Sequence, residues 1–364
     1  MKKLFNIILI CAILGTLNFS LSVDAQTTQN IETLVEITKA DPDKPVLQTL
    51  VTQDSQTLES KQGDLELEID LKDQEITIKQ NDGEDIEISL PNNLGLKSGQ
   101  KIGDSVVFDG PNVDVVVQAV GGGIRQVLNI DNANAGNVFD FPLTLANNET
   151  LEITPEGFGL IKNAEGKVIT TILKPWAKDK NGKELPTHYT AEGNVLKQHI
   201  NFENAVFPVS ADPAWCGDIA DNVWWHKNGK DEYFGLQPWS LRIKPSWCGR
   251  TISATAFVGI PVTNFGPSAM NHWFMWQEIV NKTPDCAEYK RKRVKIRGVW
   301  KNMPYCYDSP WDKTYGTSIY WSTYDQFFCH AYNPKTLDRP EWNLEPKRPN
   351  VGFVKTVKAG CNPD

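Results

Sequence analysis

The distribution of cysteine constrains this chain more than any other feature. Residues 26–213 contain none, whereas Cys216, Cys248, Cys286, Cys306, Cys329 and Cys361 all lie in the remaining 151 residues. An even set of cysteines is a disulfide framework if the chain is exported, and the first residues point that way. Met1-Lys2-Lys3 is a short positive segment, residues 4–14 are apolar apart from Asn6, and Val23-Asp24-Ala25 offers a small-residue cleavage site before Gln26. A secreted, extracellular protein cut near Ala25 is expected. Cys11 follows Ile10 rather than a small residue, which argues against a lipid anchor. No later segment approaches the roughly 18 apolar residues that span a bilayer, so no transmembrane segment is expected in the mature form.

Six cysteines leave the connectivity open. Pairing of sequence neighbours, Cys216 with Cys248, Cys286 with Cys306 and Cys329 with Cys361, is the simplest expectation. Each such loop would stabilise the fold by about 3 kcal/mol through the unfolded chain. A zinc site would need closely spaced ligands such as C-x-x-C, and none is present, so neither a metal nor another cofactor is expected.

Charge and tryptophan divide the chain at the same place. Residues 26–213 carry 15 Lys and Arg against 30 Asp and Glu, residues 214–364 carry 20 against 14, and eleven of the twelve tryptophans belong to the second part. The expected organisation is a signal peptide (1–25), a polar leader (26–62), an acidic β-rich carrier or prodomain (63–213) and a basic Cys/Trp-rich domain (214–364). Pro213 favours an extended connection at the boundary. A negative half tied to a positive one suggests that the first presents or masks the second until cleavage near Asp212-Pro213, or until a target displaces it.

Within the acidic part the period is two. Leu65, Leu67, Ile69 and Leu71 alternate with Glu66, Glu68 and Asp70, Ile76 and Ile78 follow, and Asp82-Gly83 is a tight turn before Ile86, Ile88 and Leu90. Further strands are expected at residues 106–108, 113–117, 125–130, 158–161 and 167–173. Gly121-Gly122-Gly123 lacks the Lys-Ser/Thr of a phosphate loop and reads as a hairpin turn at positive φ. Together these predict an all-β, sandwich-like N-terminal domain. In the second part residues 239–243, 251–258 and 293–300 read as strands, residues 269–281 as a helix, and Ser322 with Asp325 as the cap of a helix through His330. A disulfide-stabilised α+β C-terminal domain is predicted.

Two resemblances add to this. Residues 109–213, with Pro175-Trp176-Ala177, Pro186-Thr187-His188-Tyr189 and Phe207-Pro208-Val209, resemble a β-rich segment that precedes variable, in some cases toxin-type, C-terminal domains of secreted bacterial proteins. Gln326, Phe327, Cys329, His330, Trp342, Asn343, Leu344, Glu345, Pro346, Arg348, Pro349 and Cys361-Asn362-Pro363 resemble domain of unknown function 2599, although Lys347 stands where that resemblance would place an aromatic residue.

Three functions follow as expectations. The first is a bacteriocin- or toxin-like effector acting on other cells or their surfaces. The second is a glycan- or cell-wall-binding module without catalysis, in which exposed Trp and Tyr rings and neighbours such as Asn222, Asn228, Asp308 and Gln326 meet the sugar; Trp342, Asn343, Arg348 and Gln326 are the candidate binding residues of the last segment. The third is a secreted hydrolase with His330 and Glu345 as acid and base; the ordinary reading is that His330 is structural and Glu345 pairs with Arg348. Gly-x-Ser-x-Gly and His-Glu-x-x-His are both absent, and the enzyme question stays open. Residues 290–297 hold six cations, among them Arg293, Lys295 and Arg297. They form a solvated strand face, a contact for an anionic surface, or a protease-sensitive loop bridged by a disulfide, in that order of expectation. Export removes nucleic acid as the expected partner and leaves a cell-surface or wall component.

Overall fold

The computed structural model describes residues 33–34, 45–63, 65–80, 85–146, 148–227, 239–256, 273–284, 291–296, 299–304, 318–337, 339–346 and 348–363. The signal segment, the Asp82-Gly83 turn, Asn228, Cys286, Cys306, Asp308, Arg297 and Lys347 lie outside the described residues.

The chain begins as an antiparallel meander of β1 (Val51–Thr52), β2 (Thr57–Gln62), β3 (Leu65–Asp70), β4 (Glu75–Gln80) and β5 (Ile86–Ser89). In β3 the alternation acts as written: Leu65, Leu67 and Ile69 are buried, and Glu66, Glu68 and Asp70 stay half exposed. Each aliphatic side chain buried this way contributes roughly 1.5–3 kcal/mol. A second sheet starts with β6 (Gln100–Ile102), β7 (Ser105–Phe108), β8 (Val113–Val120) and β9 (Gly123–Ile130). β10 (Val138–Thr144) returns to the first sheet, and β11 (Thr150–Ile153), β12 (Gly159–Lys162) and β13 (Val168–Ile172) extend the second. β14 (Trp176–Asp179) pairs with β17 (Val209–Asp212), while β15 (Thr187–Glu192) and β16 (Val195–Ile200) complete the first sheet, with β15 at its edge.

One apolar core joins the two sheets, with Leu67, Ile69, Ile76 and Ile88 from the first and Val115, Val117, Ile124 and Leu128 from the second. This is the predicted sandwich. The second sheet is also covered on its other face: every residue of β8 and β9 is buried. Buried Arg125 there donates from Nε and Nη2 to Gln118 Oε1, which keeps its charge hydrogen-bonded. Thr33 reaches the same face, donating to Asp114 Oδ2 at 2.8 Å, and Leu34 packs beside Val107, Val116 and Val127.

The expected leader is therefore shorter than composition suggested. Residues 57–62 are a full strand, and Gln48 N donates to Ala119 O at 2.9 Å.

The boundary at Pro213 is corrected more sharply. β18 (Ala214–Cys216) does not begin a separate domain but is inserted between β13 and β9 of the second sheet. Asp212 is 3 % exposed, and the Pro213 carbonyl accepts the Gln126 N–H at 3.0 Å. Asp212-Pro213 is a turn of phase inside a sheet, not an exposed hinge.

After this seam come β19 (Ala220–Lys227) and β20 (Trp239–Pro245), then α1 (Trp247–Ala256), α2 (Trp273–Lys282), the hairpin β21 (Arg291–Ile296) and β22 (Val299–Pro304), α3 (Ser318–Tyr332), α4 (Pro334–Leu337), β23 (Trp342–Leu344) and α5 (Phe353–Lys358). β19, β20 and β23 form a small antiparallel sheet. The α+β expectation holds, as do the pairs Cys216–Cys248 and Cys329–Cys361. Three local readings change. Residues 251–256 are helical rather than extended, because Ser246 Oγ caps α1 by accepting Gly249 N–H at 3.0 Å and the disulfide fixes the first turn. The expected strand over 293–300 is two strands of one hairpin. Ser322 does not cap a helix: α3 starts one turn earlier, and Ser322 Oγ donates to Arg348 O at 2.6 Å.

The Gly121-Gly122-Gly123 turn is where the two halves meet. Gly122 O accepts N–H groups from Gly217 (3.0 Å) and Asp218 (2.9 Å), and Gly121 O accepts Cys248 N–H at 2.9 Å. Behind the seam a second core gathers Phe158, Leu173, Ala214 and Cys216 from the β side with Ile243, Ile252, Trp276, Phe327 and Trp342.

Candidate functional site

α3 carries most of the residues singled out from the sequence. Gln326 and His330 lie four apart on one face, and both grip the strand β23 with its continuation. Gln326 Nε2 donates to Glu345 O at 3.0 Å and its Oε1 accepts Glu345 N–H at 2.8 Å. His330 Nε2 lies 3.1 Å from Asn343 O, so it carries the proton and donates. The four-residue step along the helix, about 6 Å, matches two strand residues of about 6.6 Å, which lets one helix face serve alternate backbone positions. Arg348 then fastens the tail: its Nε pairs with the Glu345 carboxylate, and its Nη1 donates to Pro363 O at 3.1 Å. Cys329–Cys361 closes the same unit.

Chemically, this is a brace. His330 is 2 % exposed, and among the described residues its Nδ1 has no hydrogen-bond partner. Burial, reinforced by the Arg339 cation and only partly offset by the Asn343 carbonyl, pushes its pKa down to about 4. A neutral imidazole with its proton committed to a backbone carbonyl is a weak base at neutral pH. Among the described residues no hydrogen bond joins it to Glu345, whose carboxylate is held by Arg348. The acid/base pair expected from the sequence is not assembled. Trp342, expected to stack on a ligand, is 1 % exposed and packs edge-on to Phe327 at 5.8 Å. Gln326 is fully buried, while Asn343 and Arg348 stay half exposed.

Three acidic residues, Asp325, Glu278 and Asp218, were not read from the sequence as candidate site groups. Asp325 lies on the α3 stripe that also carries Trp321, Phe328 and Tyr332, and its carboxyl is pushed up to about 7 by burial. At the seam, Glu278 of α2 accepts Ile219 N–H at 2.8 Å, Asp218 Oδ1 accepts Ala220 N–H at 2.9 Å, and Lys282 pairs with Asp218. Burial, then the Asp218 carboxylate, raises Glu278 well above the carboxylate range. Sixty residues separate the partners, so nothing local in the sequence marks them. They lock α2 onto the seam.

The basic run lies on the β21–β22 hairpin. Register sets Arg291 opposite Pro304, Arg293 opposite Asn302 and Lys295 opposite Trp300. Half-exposed aromatics of this domain include Trp224, Trp225, Trp247 and Trp321. Among the described residues no group of three or more His, Cys, Asp or Glu could hold a metal ion, and no helix is long and apolar enough to cross a membrane.

Residues 320–364 match the family described as Protein of unknown function (DUF2599), which establishes the C-terminal resemblance over that span. No curated protein matches the chain. Among solved structures, the heparinase III BT4657 gene product is 10 % identical over 55 % of this chain and 41 % of its own, with a TM-score of 0.30. Its form with methylated lysines is 10 % identical over 60 % of this chain and 44 % of its own, with a TM-score of 0.30. A glycoside hydrolase family 81 enzyme from Clostridium thermocellum is 8 % identical over 55 % and 30 %, with a TM-score of 0.27. The chain thus spans less than half the length of each, and overlaps this slight assign no activity.

Proposed function

We propose that this chain, whose residues 320–364 match that family of unknown function, is an extracellular surface-directed binder. Its β sandwich is a rigid platform, and its C-terminal domain engages an anionic polymer of a cell surface through the β21–β22 hairpin. The observation that carries this reading is the hairpin register, which pairs the cationic strand Arg291–Ile296 with Val299–Pro304 and sets Lys295 opposite Trp300. Cations pair with acidic groups, and an indole offers a flat apolar face to a sugar ring. The family segment supports the reading indirectly, because its Gln326, His330 and Arg348 are engaged in bracing the domain. Release of the second half by cleavage at Asp212-Pro213 is disfavoured, since that bond lies within a buried sheet. A toxin-like effect on another cell would then follow from attachment of the whole chain.

The test is sedimentation of the full chain with bacterial cell-wall preparations and with a soluble polyuronate at low and high salt. Arg293→Glu with Lys295→Glu is expected to weaken binding at least about tenfold at low salt, where charge is least screened. His330→Ala, if folded, is expected to bind as the parent does. Wild-type binding by the double variant would overturn the proposal.

A further inference from the structure

We infer that His188 and His199 form a two-histidine site for a borderline divalent metal ion, with Cu²⁺ preferred over Ni²⁺ and Zn²⁺, on the outer face of the eight-stranded sheet. The two residues are direct cross-strand partners on β15 and β16. Their rings lie with centroids 4.7 Å apart and planes within 5° of parallel. His188 is exposed and His199 half exposed, so solvent can reach both rings and fill the remaining coordination positions. A modest splay of the exposed His188 ring about its side-chain torsions brings one nitrogen of each imidazole to the roughly 2.0–2.1 Å that such ions require. Imidazole is the ligand type that borderline ions share, and the Irving–Williams order sets the preference for Cu²⁺.

Three features around the pair favour a cation over an accidental neighbouring of rings. First, Thr190 Oγ1 lies 2.8 Å from His199 Nε2. If Nε2–H donates to that hydroxyl, Nδ1 keeps its lone pair, and an outer partner of this kind fixes the tautomer and orientation of a ligating histidine. Second, the neighbouring cation Lys197 is paired with Glu192 Oε2 at 2.6 Å and faces Asp140 Oδ2 at 3.5 Å. Two carboxylates around one ammonium leave the patch net negative. Third, the strands beneath are pinned. Tyr189 on the inward side of β15 donates to Asp212 O at 3.2 Å, and Gln198 Nε2 donates to Thr187 Oγ1 and Trp176 O, each at 3.3 Å. The backbone under the site is therefore fixed, and only the rings need to move.

The test is calorimetric titration of metal-stripped, thiol-alkylated full chain with Cu²⁺, Ni²⁺ and Zn²⁺ at pH 7.5. One saturable Cu²⁺ per chain is expected, bound more tightly than the other two ions. His188→Ala and His199→Ala should each lower Cu²⁺ affinity by at least about tenfold with unchanged circular dichroism. His226→Ala, which removes an exposed histidine of β19, should leave the affinity as it was. Parent-like affinity in either site variant, an equal loss in His226→Ala, or no saturable binding would each overturn the inference.

Discussion

Gly122→Ala isolates what joins the two halves. A Cβ built on Gly122 would lie 1.9 Å from Asp218 O, 2.6 Å from Ser246 Oγ and 2.8 Å from Ser246 Cβ, on a residue whose φ is +83°. The left-handed backbone alone costs about 1–2 kcal/mol with a side chain. The overlap is with a backbone oxygen that cannot rotate away, so the turn must back off, at a further cost of about 1–3 kcal/mol. Moving it also loosens the bonds from Gly217 and Asp218 to Gly122 O and from Gly122 N–H to Gln62 Oε1. The expected loss is therefore about 2–5 kcal/mol. Gly103→Ala is the matched control, with φ of +62° and nothing within 4 Å of its Cβ, so it carries the backbone cost alone. Urea unfolding followed by tryptophan fluorescence reads the difference, with Trp215 fully buried beside the seam. Equal destabilisation of the two variants within about 0.5 kcal/mol would refute the claim that contact with the second half, rather than turn geometry, requires this glycine.

Trp342→Ala should lower stability by about 3–5 kcal/mol, as loss of a fully enclosed indole does; an unchanged urea midpoint would show that the residue is not in the core. The pH profile should expose two opposing groups. His330 has its folded pKa lowered to about 4 from an ordinary 6.5, so its share of stability is present above about pH 6.5 and is lost as pH falls toward 4, on the order of 3 kcal/mol. Asp325, raised to about 7, acts the other way: stability falls as pH rises from about 4 to 7. His330→Gln should leave a midpoint that declines with rising pH across this window, and Asp325→Asn one that climbs. Parallel slopes in the two variants would contradict both assignments.

Much of the platform was readable because its strands alternate strictly. Leu65, Leu67 and Ile69 against Glu66, Glu68 and Asp70 admit one face inward and no other. β10 went unread because Pro142 interrupts it, and a proline there signals a break unless the partner strands are known. Pro213 misled for the same reason: it reads as a linker, yet its carbonyl still serves Gln126. Thr251, Ile252 and Thr255 gave α1 the look of a strand, and only the Ser246 cap and the Cys248 bridge decide otherwise. At the site, the i, i+4 relation of Gln326 and His330 and the Glu345–Arg348 pair were visible locally. What they hold was not. Asn343 O and Pro363 O are backbone atoms that any residue would present, so no pattern of side chains announces them.

The short strand Ala214–Cys216 has a consequence for portability. It completes the hydrogen bonding of one sheet while Ala214 and Cys216 help to close the interior of the other half, together with Phe158 and Leu173. Residues 320–364 therefore have no self-sufficient interior in this protein. Transplanted alone, they would leave Phe327 and Trp342 facing water, and a recipient would have to supply walls equivalent to Ile243, Ile252 and Trp276. The second half is less a cargo on a carrier than the last wall of a building whose first wall lies more than a hundred residues upstream.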